Sequence, residues 1–79
     1  MNRSVHNVWL GKPLSRFGKF LKTNSITQTE LKEWSGVNQN TISRISRSNT
    51  YKPSLGNGQK LIRALKRKGY SVDFEDFWM

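Results

Sequence analysis

The chain has 79 residues, which is enough for one small domain and too few for two. It contains no cysteine, which excludes disulfide frameworks and thiolate metal sites, and its single histidine, His6, has no second histidine with which to share a metal. The net charge is +9. Residues 1 to 72 carry all 14 basic residues and only two of the acidic ones, so this part of the chain has a net charge of +12. Such a charge favours a polyanionic partner such as nucleic acid.

The first part of the chain predicts an arm followed by a helix. Residues 1–13 are expected to form an N-terminal arm, because Gly11 and Pro13 interrupt any regular element there. The apolar residues that follow recur at helical spacing: Leu14, Phe17, Phe20 and Leu21. This spacing predicts a first helix from about residue 14 to residue 22, and then a loop.

Two short helices are predicted on either side of a glycine. Thr27 is a suitable N-cap, and Glu30 stands at the position of its capping-box partner, so a helix begins there. Gly36 ends that helix at the position of a left-handed residue. Asn38 is a candidate N-cap for the next helix, which is expected to run to about Arg47.

The helix that follows Asn38 is unusually polar. Its only apolar residues, Ile42 and Ile45, predict that one side is buried and the other is free. Solvated helix faces usually carry Glu and Lys, whereas this free side carries amide, hydroxyl and guanidinium groups that match the hydrogen-bonding edges of bases. Helical geometry places Asn40, Thr41 and Arg44 on the outward side. Gln39 lies at the N-terminal tip of the helix.

A final helix is predicted from Ser54, its candidate N-cap, to Gly69, which stops it. Gly56 and Gly58 each disfavour a helix interior by about 1 kcal/mol relative to alanine. The start of this helix is therefore expected to be loose or to slip to about Asn57.

The tail, residues 70–79, is too rich in aromatic residues for a disordered end. Two roles remain open for these side chains: completing a thin core by folding back onto the first helix, which is slightly favoured, or forming a homodimer contact. The side chains concerned are Phe74, Phe77 and Trp78. The tail also carries an acidic trio, Asp73, Glu75 and Asp76. These side chains are expected to face either the basic last helix or water.

Several functional classes are disfavoured. No Ser/His/Asp set, Gly-rich phosphate loop or paired carboxylates can be assembled, so we expect neither an enzyme nor a bound cofactor or metal. No apolar run is long enough for a bilayer, and the first residues lack the apolar stretch of a signal peptide. We therefore expect a cytoplasmic protein without a membrane partner.

From Gln28, the stretch QTELKEWSGVNQNTISRISR resembles the twenty-residue signature of the Xre/Cro, or λ-repressor-like, family of bacterial and phage DNA-binding proteins. The residues at the first, fourth, ninth, tenth, fifteenth and eighteenth places match that signature: Gln28, Leu31, Gly36, Val37, Ile42 and Ile45. The resemblance covers about residues 12 to 68. It departs at the fifth place, where the family usually has a small residue and this chain has Lys32. The Lys32 stem either follows the interhelical contact with its ammonium in water, or the two helices lie slightly farther apart.

The resemblance implies a compact all-α domain of four to five helices over residues 14–69, with helix 38–47 in the major groove of duplex DNA. It implies four base contacts: Gln39, Asn40, Thr41 and Arg44. It also implies phosphate contacts from the first three helices and the following loop. These are Gln28, Thr29, Ser43, Arg47, Asn49, Lys52, Lys12 and Arg16. Tyr51 lies in the same loop.

We therefore expect a sequence-specific DNA-binding regulator of transcription that acts as a repressor. The alternative is a protein-interaction module, either an antitoxin or an antirepressor, whose partner or antagonist is another protein. Non-specific packaging of nucleic acid is a third reading, for which the charge alone would suffice. The polar and cationic free side of helix 38–47 favours the first expectation.

Overall fold

The computed structural model describes residues 14–48 and 50–78, so the predictions for the arm, Lys12 and Asn49 lie outside the described residues. Within the described residues the chain is all-α, as predicted, with four α-helices, one short 3-10 helix and no strand. The helices are α1 (Arg16–Thr23), α2 (Gln28–Ser35), α3 (Gln39–Arg47) and α4 (Leu55–Arg67), and the 3-10 helix is Phe74–Asp76.

The capping features predicted for α2 and α3 are confirmed. Thr27 Oγ1 accepts a hydrogen bond from the Glu30 N–H at 3.0 Å, and Glu30 Oε1 accepts one from the Thr27 N–H at 3.0 Å. Gly36 follows α2 with a left-handed φ of 77°. Asn38 Oδ1 accepts a hydrogen bond from the Asn40 N–H at 2.7 Å. Local capping chemistry therefore determines where α2 begins and ends and where α3 begins.

α4 begins directly after Ser54, its predicted cap, and not at Asn57. Ser54 Oγ accepts a hydrogen bond from the Asn57 N–H at 3.1 Å, and the helix starts at Leu55 with both glycines inside it. The predicted cap at Ser54 is therefore confirmed, and a start displaced to Asn57 is wrong. At Gly58 the reason is packing, because an added Cβ would overlap the Phe74 ring. The glycine lets the 3-10 helix approach α4, and this contact offsets its low helix propensity.

The aromatic tail folds back onto α1. The Phe17 ring is completely buried, and its centroid lies 5.1 Å from that of Phe77 and 5.0 Å from that of Trp78. Phe77 and Trp78 are themselves buried, whereas Phe74 is partly exposed. Residues 70–78 thus belong to the same core as residues 14–69. A dimer contact through Phe77 and Trp78 would require both side chains to leave this core.

The tail also makes an ionic contact with α4. Lys66 Nζ lies 3.0 Å from Asp73 Oδ1, with both side chains more than half exposed. Asp73 therefore faces the basic last helix, which is one of the two arrangements predicted for the acidic trio. Asp76 Oδ2 accepts a hydrogen bond from the Asp73 N–H at 2.8 Å instead. The exposed Lys66–Asp73 pair contributes little to stability, because water screens its charges.

α1 is joined to the C-terminal turn of α3 through Ser15, which lies at the N-cap of α1 rather than inside a helix that begins at Leu14. The Ser15 N–H donates to the Ser46 carbonyl at 3.0 Å, and the Ser15 hydroxyl donates to the Ile45 carbonyl. The same hydroxyl oxygen accepts a hydrogen bond from the Gly18 N–H at 2.9 Å. Ser15 therefore caps the start of α1 and satisfies two carbonyls that the end of α3 leaves without helical partners.

Replacing Ser15 by alanine should lower the free energy of unfolding by about 2 kcal/mol, because a cap is lost and a buried carbonyl loses its donor. Ser71→Ala is the matched control, since Ser71 is exposed outside any helix. Chemical denaturation followed by circular dichroism measures both variants. Equal stability of the two variants would show that the Ser15 contacts add nothing.

Candidate nucleic-acid interface

α3 is attached to the domain by one buried side. Ile42, Ile45 and Ser46 have no accessible surface. The Ser46 hydroxyl donates to the Ile42 carbonyl at 2.7 Å, so its polar group is satisfied inside the core. Because these three residues fix one side of a nine-residue helix, the direction of its opposite side is determined.

The opposite side of α3 is an exposed polar stripe. Asn40, Arg44 and Arg47 follow one another at helical spacing and are all exposed. Gln39 is exposed at the N-terminal tip, so three of the four predicted base-contacting residues lie on the outward surface. Thr41 differs from the prediction in being half-buried, because it stands one turn before the buried Ile45 and is turned toward the domain.

A groove of about 460 Å³ runs beside α3, where the α1–α2 junction approaches the C-terminal half of α3. It is lined by Leu21, Lys22, Ser25, Ile26, Thr27, Gln28, Ser43 and Arg47. The structure thus brings together three of the predicted phosphate contacts, Gln28, Ser43 and Arg47. None of the eight lining residues is acidic, and the N-terminal end of α2, which carries the positive end of the helix dipole, opens here.

Lys22 is a groove residue that the sequence analysis does not single out. The chain turns sharply after it, with Ser25 in a left-handed conformation at φ 56°. The Ile26 N–H donates to the Leu21 carbonyl at 2.9 Å and closes this turn. Lys22 is thereby placed beside the start of α2. A basic residue in the last turn of a helix is too common a signal to have identified it.

The other predicted phosphate contacts within the described residues lie outside the groove. Thr29, Lys52 and Arg16 are exposed, but none of them lines it. Lys32, the residue that departs from the family signature, is also exposed, whereas its neighbour Leu31 has no accessible surface. The Lys32 side chain therefore reaches solvent, as one of its two predicted arrangements requires.

An aromatic ring touches the outward stripe of α3. The Arg44 guanidinium carbon lies 5.7 Å from the centroid of the Tyr51 ring, which is within the usual range of a cation–π contact. Tyr51 belongs to the loop between α3 and α4. The loop therefore reaches the stripe through its aromatic residue.

Comparison of the chain with protein-family models, curated proteins and solved structures gives no significant match. Over residues 14–48 and 50–78, no three histidine, aspartate or glutamate side chains come close enough to hold a metal ion. None of the described helices has the length and apolar character needed to cross a membrane. The arrangement that remains for a functional interpretation is an exposed amide and guanidinium stripe beside a cationic groove.

Proposed function

We propose that the chain binds duplex DNA sequence-specifically with α3 in the major groove and represses transcription in the cytoplasm of a bacterial host, without an enzymatic activity or cofactor. The observation that carries this proposal is the outward stripe of α3. Its exposed side consists of hydrogen-bonding groups, while Ile42, Ile45 and Ser46 hold the helix to the domain. The resemblance of residues 28–47 to the Xre/Cro signature supports the same conclusion.

The stripe has the chemistry needed for direct base readout. The planar guanidinium of Arg44 can donate two hydrogen bonds to guanine O6 and N7, and the amide of Asn40 can pair with adenine N6 and N7. Gln39 offers the same amide chemistry at the tip of α3, where helices of this motif approach the bases. Half-buried Thr41 is suited to a thymine methyl at the edge of the contact.

The groove has the chemistry needed for a phosphate. A helix in the major groove has the sugar-phosphate backbone on either flank, and the groove lies on one flank of α3. There Lys22 and Arg47 supply positive charge, Ser43 supplies a hydroxyl, and the first turn of α2 supplies backbone N–H groups. Such contacts orient the protein on the duplex without sequence preference, which leaves discrimination to the other residues of the stripe.

Selection of bound duplexes from a random pool tests the proposal. At about 150 mM salt, near physiological ionic strength, we expect the selected duplex to bind about a thousandfold or more tightly than random duplex of equal length. A palindromic selected sequence would in addition report a homodimer. If no sequence is enriched and all duplexes bind alike, sequence-specific regulation is wrong. The antitoxin or antirepressor alternative, or non-specific packaging, would then replace it.

Asn40→Ala should weaken binding to the selected duplex about tenfold and leave binding to random duplex nearly unchanged, because the lost contact is to a base edge. Gln59→Ala is the control, since Gln59 is an exposed amide on α4. Fluorescence anisotropy with both duplexes measures the dissociation constants of the parent and of both variants. A similar loss for both duplexes would assign Asn40 to the DNA backbone instead.

Lys22→Gln and Arg47→Gln should each weaken binding to selected and random duplexes by the same factor. Each should lower the slope of log affinity against log salt by about 1, as expected when one phosphate contact is lost. Lys60→Gln serves as control, because Lys60 is exposed on α4 and outside the groove. A salt titration gives the slopes. An unchanged slope in both groove variants would remove the groove from the interface.

A further inference from the structure

Tyr51 is one of the two large apolar side chains that the structure leaves exposed in the described residues, with 38% of its surface accessible. A single exposed apolar side chain is common on a protein surface, so what distinguishes Tyr51 is the residue beside it. Its ring meets the Arg44 guanidinium, at 5.7 Å from the centroid to Cζ. Over residues 14–48 and 50–78, Arg44 has no ion pair or side-chain hydrogen bond that would hold it elsewhere.

The loop that carries Tyr51 is secured on both sides of the ring. On the α3 side, the hydroxyls of Ser48 and Thr50 share a hydrogen bond at 2.7 Å, and the Thr50 N–H donates to Ser48 Oγ at 3.1 Å. On the α4 side, Pro53 is buried and Ser54 caps the helix. These contacts place the Tyr51 ring beside α3 in the free protein, before any ligand is present.

We propose that Tyr51 is a positioning residue for Arg44, an inference that depends on the proposed function of α3. An arginine side chain loses rotamer freedom when it binds a base, and a ring that restricts it beforehand reduces this loss. A guanidinium that contacts a ring through its face keeps its N–H edges free for bidentate hydrogen bonds. Tyr51 therefore raises the affinity for the base that Arg44 contacts, although Tyr51 itself reads none.

The test compares Tyr51→Leu, which removes the ring, with Tyr51→Phe, which removes only the hydroxyl. For the duplex selected from the random pool, we expect Tyr51→Leu to weaken binding about two- to fivefold, the range of an exposed cation–π contact, and Tyr51→Phe to bind like the parent. Binding to random duplex should be unchanged in both. In an Arg44→Ala background, Tyr51→Leu should cause no further loss.

Three results would overturn the inference. They are full retention of selectivity by Tyr51→Leu, an equal loss in Tyr51→Phe, and the same loss in the Arg44→Ala background. A second readout needs no DNA: the ring current of Tyr51 should shift the NMR signals of the Arg44 δ and ε protons in the parent and in Tyr51→Phe. Tyr51→Leu should abolish this shift, and its absence from the parent would also overturn the inference. Failure of the proposed function is distinguishable, because then no duplex is enriched at all.

Discussion

Replacing Gly18 by alanine is expected to lower the free energy of unfolding by about 3 kcal/mol, at the upper end of what overpacking usually costs. For a domain of this size, that corresponds to a fall in melting temperature of roughly 12 to 24 °C. The added Cβ would overlap the carbonyl oxygen of Ser46 and lie 2.9 Å from its carbonyl carbon. Both are backbone atoms of α3, so no side-chain rotation relieves the clash.

The separation of α1 from α3 would also weaken the hydrogen bonds that Ser15 donates to Ile45 and Ser46. Gly56→Ala is the matched control, because Gly56 is also a helical glycine and has no atom within 4 Å of an added Cβ. This control should be neutral or more stable by up to about 1 kcal/mol, since alanine favours helices. Thermal and urea denaturation measure both variants. Equal stability of the two would contradict the close α1–α3 contact.

Arg44→Ala is expected to reduce affinity for the selected duplex by about 1–3 kcal/mol, which is roughly five- to 150-fold. The loss combines a bidentate contact to guanine with the cost of leaving the guanine acceptors unpaired. Binding to random duplex should fall much less, because there Arg44 contributes only its charge. Of the single substitutions in the stripe, this one should have the largest effect on selectivity.

The control for Arg44→Ala is Arg63→Ala, which removes the same side chain from an exposed position on α4. Its effect should be small and equal for both duplexes, as expected for a charge outside the contact surface. Competition binding at fixed salt measures the ratio of dissociation constants for each variant. If Arg44→Ala weakens binding equally on all sequences, Arg44 is a phosphate contact and base readout must be assigned elsewhere on α3.

Features that depend on neighbours in the sequence could be predicted. The capping box of Thr27 and Glu30, the left-handed Gly36 and the cap at Asn38 all involve groups within a few residues of each other. The buried side of α3 also followed from the spacing of Ile42 and Ile45. Its exposed side followed from the same periodicity, except at half-buried Thr41.

Features that join distant segments could not be predicted. The contact of Ser15 and Gly18 with Ser46 bridges about 30 residues and involves backbone atoms, which leave no pattern in the sequence. The same reason explains why the sequence left the start of α4 open between Ser54 and Asn57: helix propensity argued against Gly58, but packing against Phe74 requires it.

Parts of the candidate interface also depend on contacts that the sequence does not reveal. Lys22 reaches the groove only because of the turn at Ser25, and the contact of Tyr51 with Arg44 depends on the conformation of a loop. The aromatic density of the tail predicted order, but it could not choose between the protein's own core and a second copy. In each case the residue type suggested a role, but a contact between distant parts of the chain determined where the side chain lies.

An NMR titration of the labelled protein with selected and random duplexes tests most directly whether the outward side of α3 reads bases. We expect the side-chain amide signals of Gln39 and Asn40 and the Arg44 ε signal to shift with the selected duplex and to change little with random duplex. The backbone amides of Gln28 and Thr29, at the start of α2 where we propose a phosphate contact, should shift with both. Identical responses to the two duplexes, or shifts confined to α4 with the α3 side chains unmoved, would contradict base readout by α3.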